Sequence, residues 1–500
     1  MNSSLNRREF LHLTTTAGAL YMAGLGCQGP SLPLSRRHPK LISPGCRKSK
    51  VKVARIYMGT SGGLWPKPKL DLKKEIRFYE SEFAKHQEEL ADVDFVVDEL
   101  VTSAEQIKSL EGKLKAVDGI LAIHLNMGIW PILYEILLMD KPTTVFAAPY
   151  SGHTWIGFGG VQKQKLGEKM VCLLTNDYSQ LTTAIRPFRA IHHLREAKIL
   201  NVTTRDFADY AQSMKDKFGT EIKPIELQRM IKVYDSIDVN QARMEGDLWI
   251  RAAEKVVEPT REDIVKSARM ALAFERLMDE EEATVITVDC YRTMYKPLCQ
   301  KYAFPCLGFA RINNMGLGGI CESDLQCAMT HIIFQGLCGK PGFISDPTID
   351  ESNNAIILAH CLGTPMMDGP DKAADPFKIR TIMEREEGVV IQPKMQCGRK
   401  VTQAKLVGTD FMPFFTGQII DAPVGLKDNR GCRTKITVKV DGCVTKLWKN
   451  YSHGLHRVSC YDDITTELRH FCRFTGVTLA DEANDDADAL YSQRGSKATI

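Results

Sequence analysis

Read for the alternation of apolar and polar positions, the chain falls into three stretches of different rhythm. From 51 to about 150, short β-branched runs alternate with longer helical patterns. Val51-Lys-Val-Ala-Arg-Ile-Tyr57, Asp94-Phe-Val-Val97, Gly119-Ile-Leu-Ala-Ile123 and Thr143-Thr-Val-Phe-Ala-Ala-Pro149 have the composition of strands. The segments 73–90, 103–115 and 130–138 repeat at helical spacing. Strands separated by helices predict βαβ units and a parallel sheet.

A second alternation follows. Met170-Val-Cys-Leu-Leu174, Lys198-Ile-Leu-Asn-Val202, Thr284-Val-Ile-Thr-Val288, Cys306-Leu-Gly-Phe309 and Gly342-Phe-Ile-Ser345 read as strands, with helices over 240–257 and 261–281. Beyond about 385 the strand-like runs lose their intervening helices: Gly388-Val-Val-Ile-Gln392, Gln403-Ala-Lys-Leu-Val407 and Thr434-Lys-Ile-Thr-Val-Lys-Val440. The last run reaches Asp441-Gly442, a hairpin signal, and is expected to return as a strand through Val444-Thr-Lys-Leu-Trp448. A final helix is predicted over 464–474. The expected fold is therefore α/β: two Rossmann-like parallel-sheet domains, 51–164 and 165–345, then an antiparallel, partly barrel-like C-terminal domain, 346–500.

The N-terminus departs from both rhythms. Asn6-Arg7-Arg8-Glu9-Phe10-Leu11 precedes a short run of apolar and small residues that ends near Gly26. Paired arginines, a short apolar stretch and small residues near a cut site predict a twin-arginine export signal over 1–27. That implies the twin-arginine translocase as a partner during export and a periplasmic destination. Cys27 is a candidate for lipid anchoring. Residues 28–50, rich in Pro, Ser, Arg and Lys, read as a tether.

Composition narrows the picture only a little. A 500-residue chain with 44% apolar and 25% charged residues is ordinary for a multidomain globular protein. The net charge of +4 is small and unclustered, so no nucleic-acid partner is expected. The 15 cysteines include no CxxC pair, and those from Cys290 to Cys361 lie in apolar runs, which predicts buried thiols. The glycines after the first strand, Gly59, Gly62 and Gly63, do not make a GxGxxG nucleotide fingerprint.

The candidate chemistry lies around Ala310-Arg-Ile-Asn-Asn-Met-Gly-Leu-Gly-Gly-Ile-Cys-Glu322-Ser-Asp324. Gly316, Gly318 and Gly319 are expected to join a strand to a helix starting near Glu322, whose dipole would keep that carboxylate ionised. The run ending in Asp346 supplies a second carboxylate, from a neighbouring strand end of the same sheet. Two convergent carboxylates repel unless a cation or a proton lies between them. Oxygen ligands favour a hard divalent ion, Mn²⁺ or Mg²⁺. His360, within Ala355-Ile-Ile-Leu-Ala-His360, and the loop histidines His453 and His456 are candidate imidazole ligands.

These residues resemble the L-fucose isomerase family, to which the L-arabinose isomerases are more distantly similar. The likeness rests on Gly-Ile-Cys-Glu322-Ser-Asp324, on Lys340-Pro-Gly-Phe-Ile-Ser-Asp346 24 positions after Glu322, and on His456-Arg-Val-Ser-Cys-Tyr461. It implies Glu322, Asp346 and His456 as ligands of Mn²⁺ (or Mg²⁺ or Co²⁺), with His360 where the arabinose enzymes carry an extra histidine. It further implies that Glu322 and Asp346 move a proton between the first two carbons of a small sugar through an enediol. A homo-oligomer, hexamer or trimer, with sites completed by neighbours is implied as well.

Other readings are an exported sugar-binding protein without turnover and a metal-dependent sugar epimerase; a nicotinamide dehydrogenase lacks its glycine fingerprint. Trp65 and His453 are weaker candidates for substrate contact. Asp324 is expected at the surface or as a helix cap, His192-His193 on a solvated helix face, and acidic 481–488 as a solvated tail.

Overall fold

The computed structural model of the protein describes residues 37–294, 298–424 and 430–485. The expected export signal, Cys27 and the first part of the tether lie outside the described residues. The first layer is a parallel sheet of β1 (Val51–Met58), β2 (Val93–Val101), β3 (Gly119–His124), β4 (Thr143–Ala147) and β5 (Met170–Leu174), in the order β2-β1-β3-β4-β5. β3 and β4 are buried along their whole length, as a sheet covered on both faces requires. The helix Leu72–Ala84 begins where the Asp71 side chain accepts from the Lys74 amide. β5 pairs with β4, so the first sheet runs past the boundary expected at 164. An apolar run is equally suited to either sheet, and periodicity does not name its partner.

The second layer is β6 (Lys198–Val202), β7 (Glu221–Ile225), β9 (Val285–Val288) and β10 (Gly318–Cys321), all parallel, in the order β10-β9-β6-β7. Cys306-Leu-Gly-Phe309, expected as a strand, is instead the start of the helix Cys306–Asn314. A helix buried nearly all round gives the same continuous apolar run as a buried strand. The glycine pair is part of β10 and not a connecting loop. A Cβ on Gly319 would lie 2.6 Å from the Phe309 Cα, so glycine lets strand and helix backbones touch.

The third layer closes on itself. β11 (Phe343–Asp350), β12 (Ala355–His360), β15 (Lys400–Ala404), β16 (Phe411–Asp421), β17 (Thr434–Val440) and β18 (Arg457–Tyr461) form a six-stranded antiparallel barrel, closed by β15 against β16. β19 (Thr478–Asp481) adds to β16 in parallel. Beside the barrel, β13 (Phe377–Ile382) pairs with β14 (Glu387–Pro393) and with β8 (Lys255–Val256). Gly342-Phe-Ile-Ser345 therefore opens the barrel and does not end the parallel sheet. Nor does β17 return as a hairpin: Val444–Asn450 is a helix, its first amide donating to the Asn354 side chain. Both edges of β17 are already taken by β12 and β16, which leaves a return strand nowhere to pair.

Residues 37–50, the second half of the expected tether, are packed. His38, Leu41 and Cys46 are buried, and His38, Lys40 and Arg47 converge on Asp279 of the helix Arg261–Glu280. The basic composition that suggested a solvated linker serves these contacts. The helix Arg186–Glu196 lies between layers, so His192 and His193 are buried, not solvated. His192 is held by Asp118 at 2.9 Å and His193 by Ser43 at 3.0 Å. The acidic segment is not a simple tail either: Glu482 is buried against Arg457, and 486–488 lie outside the described residues. Among the described residues the cysteines are free thiols, most of them buried. No described helix is long and apolar enough to cross a membrane.

Candidate metal centre

Glu322 follows the last residue of β10. Its backbone and that of Ser323 are left-handed, with φ of 59° and 58°, a conformation that costs a non-glycine residue of order 1–3 kcal/mol. The turn is pinned from outside: Arg205 donates to the Glu322 carbonyl at 2.9 Å, and the Ser323 hydroxyl donates to Asn201. The helix Leu325–Cys338 starts only afterwards, capped by Asp324, which accepts from the Cys327 amide at 2.9 Å. Glu322 thus precedes the helix, and the dipole argument for its ionisation does not apply. Burial instead pushes its pKa up; His456 opposes the shift and Asp346 adds to it.

The other ligand candidates come from the barrel. Ser345 of β11 pairs with Arg457 of β18. One step further along that antiparallel register, Asp346 faces His456. Their side chains meet, Asp346 Oδ1 to His456 Nε2, at 3.4 Å. On the other side of β11, Asp346 pairs with Ala359, which brings His360 at the end of β12 to the same corner. Glu322 comes from the parallel sheet and closes the cluster, 3.9 Å from each imidazole Nε2. The two carboxylates therefore meet across the junction of sheet and barrel, and not from neighbouring strands of one sheet. The rings of His360 and His456 stand edge to face, 5.2 Å apart.

The two histidines differ in what their second nitrogen does. His456 Nδ1 lies 3.5 Å from Asp324 Oδ2, and Asp324 is itself held by Lys405 Nζ at 3.1 Å. A carboxylate behind Nδ1 fixes the proton there and leaves the Nε2 lone pair facing Glu322 and Asp346. Burial disfavours the charged ring, but Asp324 and the two site carboxylates overcome it and raise the His456 pKa. His360 Nδ1 instead accepts from the Leu362 amide at 3.1 Å. A neutral imidazole that accepts at Nδ1 carries its proton on Nε2, so His360 is a donor toward Glu322. Full burial pushes its pKa down to about 3, which keeps it neutral.

An ion fits this set. Asp346 Oδ1 is buried without a hydrogen-bond partner, and such an orphan costs stability unless something binds it. Burial also raises the Asp346 pKa. Glu322, His360 and His456 present ligand atoms within 4.8 Å of one another. The tautomers favour Glu322, Asp346 and His456 as the ligands, with His360 as a hydrogen-bond donor beside them.

The cluster opens onto a pocket of about 500 Å³, solvent-open space included, which Tyr291, Phe304, Ile382, Glu384 and Arg385 help to line. Cys290, Cys306 and Cys321 also stand in its wall, and burial raises their thiols well above the ordinary range. They are neutral wall groups. Glu384 accepts from the Tyr291 hydroxyl at 2.7 Å, and the Arg385 guanidinium lies 4.8 Å from the Tyr291 ring centre. Sequence reasoning missed Glu384, Arg385 and Tyr291, which no local motif marks, and it missed the part Asp324 plays behind His456.

Two weaker candidates lie elsewhere. The His453 ring packs edge-on against Phe411, 5.1 Å away. Trp65, in the loop after β1, packs on His153 of its own layer at 4.7 Å.

No family model matches the chain, and no curated protein matches it.

Proposed function

We propose that this protein is a divalent-metal enzyme, an aldose–ketose isomerase of the L-fucose isomerase type, acting on a small sugar. The observation that carries the reading is the convergence of Glu322, Asp346 and His456 Nε2, with Asp324 aligned behind the imidazole. The motif resemblance around the same three residues supports it. These residues would hold Mn²⁺ or a similar hard ion, which when bound polarises the sugar carbonyl and its neighbouring hydroxyl.

The protein groups divide the remaining work. Burial raises the pKa of Glu322 and Asp346, and an ion held between them would oppose that rise. Both carboxylates line the pocket, within reach of a bound sugar's reacting carbons. One removes the proton from the carbon bearing the hydroxyl while the other protonates the carbonyl oxygen. The first then delivers its proton to the former carbonyl carbon as the second takes the hydroxyl proton back. His360, neutral and carrying its proton on Nε2, points toward Glu322 from 3.9 Å and can donate to a substrate oxygen and orient it. Glu384 and Arg385 offer an acceptor and a donor for the distal hydroxyls.

Incubation of a panel of aldoses with the Mn²⁺-loaded protein in deuterated water tests the reading. Ketose formation with deuterium entering at the first carbon is expected, and Glu322→Gln should lower kcat/KM by roughly 10³-fold or more. Sugar binding with neither ketose nor deuterium uptake would instead support a binding protein. Inverted configuration without ketose would identify an epimerase.

A further inference from the structure

We propose that Cys46, His192 and Glu196 form a second metal site, one that takes a thiolate-seeking divalent ion of the zinc class. His192 and Glu196 lie four residues apart on the helix Arg186–Glu196, the spacing that brings two side chains to one point on a helix face. Cys46 reaches them from the packed segment 37–50. Its Sγ lies 3.4 Å from Glu196 Oε2, and His192 Nε2 lies 3.3 Å from the same oxygen. The three ligand atoms all fall within 4.8 Å of one another. Cys46 and His192 are each 1% exposed, while Glu196 keeps an edge toward solvent through which an ion can enter.

The shell behind these groups has the arrangement zinc sites use. His192 Nδ1 faces Asp118 Oδ2 at 2.9 Å, which turns Nε2 toward the cluster. Arg195 neutralises Asp118 and also approaches Nδ1, at 2.8 Å. The Ser49 amide donates to Glu196 Oε2 at 3.1 Å, its hydroxyl donates to Oε1, and its carbonyl lies 3.0 Å from His192 Nε2. One sulfur, one nitrogen and one carboxylate oxygen make three legs of a tetrahedron, with water as the fourth. On binding, the Cys46 thiol proton and the proton that His192 Nε2 shares with the Ser49 carbonyl both pass to solvent, which frees the nitrogen for the ion.

The donor softness separates this site from the one at Glu322. Oxygen-rich Glu322 and Asp346 suit a hard ion, whereas a thiolate with imidazole selects zinc or cobalt over manganese. An ion here would staple residues 37–50 to the helix that lies between the layers.

The test is cobalt titration of the chelator-stripped full chain. A thiolate-to-cobalt charge-transfer band in the near ultraviolet is expected in the wild type and in Glu322→Gln, and it should vanish in Cys46→Ala. Zinc should abolish the band and raise the thermal midpoint of the wild type. Should Cys46→Ala fail to fold, Glu196→Gln keeps the thiol and its neighbours and should weaken cobalt binding by about tenfold or more. Absence of the band in the wild type, or a band unchanged in Cys46→Ala or Glu196→Gln, overturns the site.

Discussion

Asp324 links three structural jobs in one side chain. It caps the helix Leu325–Cys338, pairs with Lys405 and backs His456 Nδ1. Replacement by Asn keeps an oxygen for the cap and removes the charge that aligns the imidazole. Asp324→Asn is expected to fold with unchanged circular dichroism and to lose roughly 10–100-fold in Mn²⁺ affinity, read by calorimetric titration. The sequence made the capping role legible but not the alignment role. Two positions along a regular helix a side chain points away, yet Glu322 and Ser323 are left-handed and precede the helix. The spacing rule therefore had no helix to act on. Glu322, Asp346 and His456 were legible because each lies within a short motif, while Glu384 and Arg385 reach the pocket from a turn between β13 and β14 that carries no such mark.

At the level of elements, the alternation of apolar runs located most strands of the first two layers. It misplaced those whose identity depends on partners. β5 joined the first sheet, and β11 joined the barrel, because pairing is a tertiary choice that periodicity does not encode. Helix packing offers a sharper test. The helix Leu325–Cys338, which begins next to the site, lies against Arg186–Glu196 at Gly336, where a Cβ would sit 2.4 Å from the Ala190 Cα. Backbone cannot yield as a flexible side chain can, so Gly336→Ala must part the helices. Overpacking of this kind costs about 1–3 kcal/mol. A lower urea midpoint with an unchanged m value is expected; an unchanged midpoint would show that the helices separate freely.

Across the whole molecule, buried histidines set the response to acid. His124, His193 and His331 are buried, and desolvation depresses their pKa values to about 4, 3 and 4. Unfolded histidine titrates near 6.5, so below that pH the unfolded chain binds protons the native state refuses. Stability is fully present above about 6.5 and falls toward pH 4, each histidine contributing roughly 1.4 kcal/mol per pH unit in that window. His192 acts in the opposite sense. Burial opposes its charge, but Asp118 raises its pKa to about 10, so its contribution is lost as pH climbs from 6.5 to 10. Thermal melts of the metal-stripped chain should peak near neutrality and fall more steeply on the acid side. A flat profile between pH 4 and 6.5 would contradict the burial of these rings.

The same scale shows why the site was only partly readable. Its carboxylates belong to different layers, and their meeting depends on a closed barrel docking against a parallel sheet. The measurement that bears most directly on the central claim is calorimetric titration of the metal-stripped chain with Mn²⁺, beside Glu322→Gln, Asp346→Asn and Cys46→Ala. About one Mn²⁺ bound per chain, lost in the first two variants and kept in the third, is the predicted result. A wild type that binds no Mn²⁺, or one whose binding survives both carboxylate changes, would contradict the account.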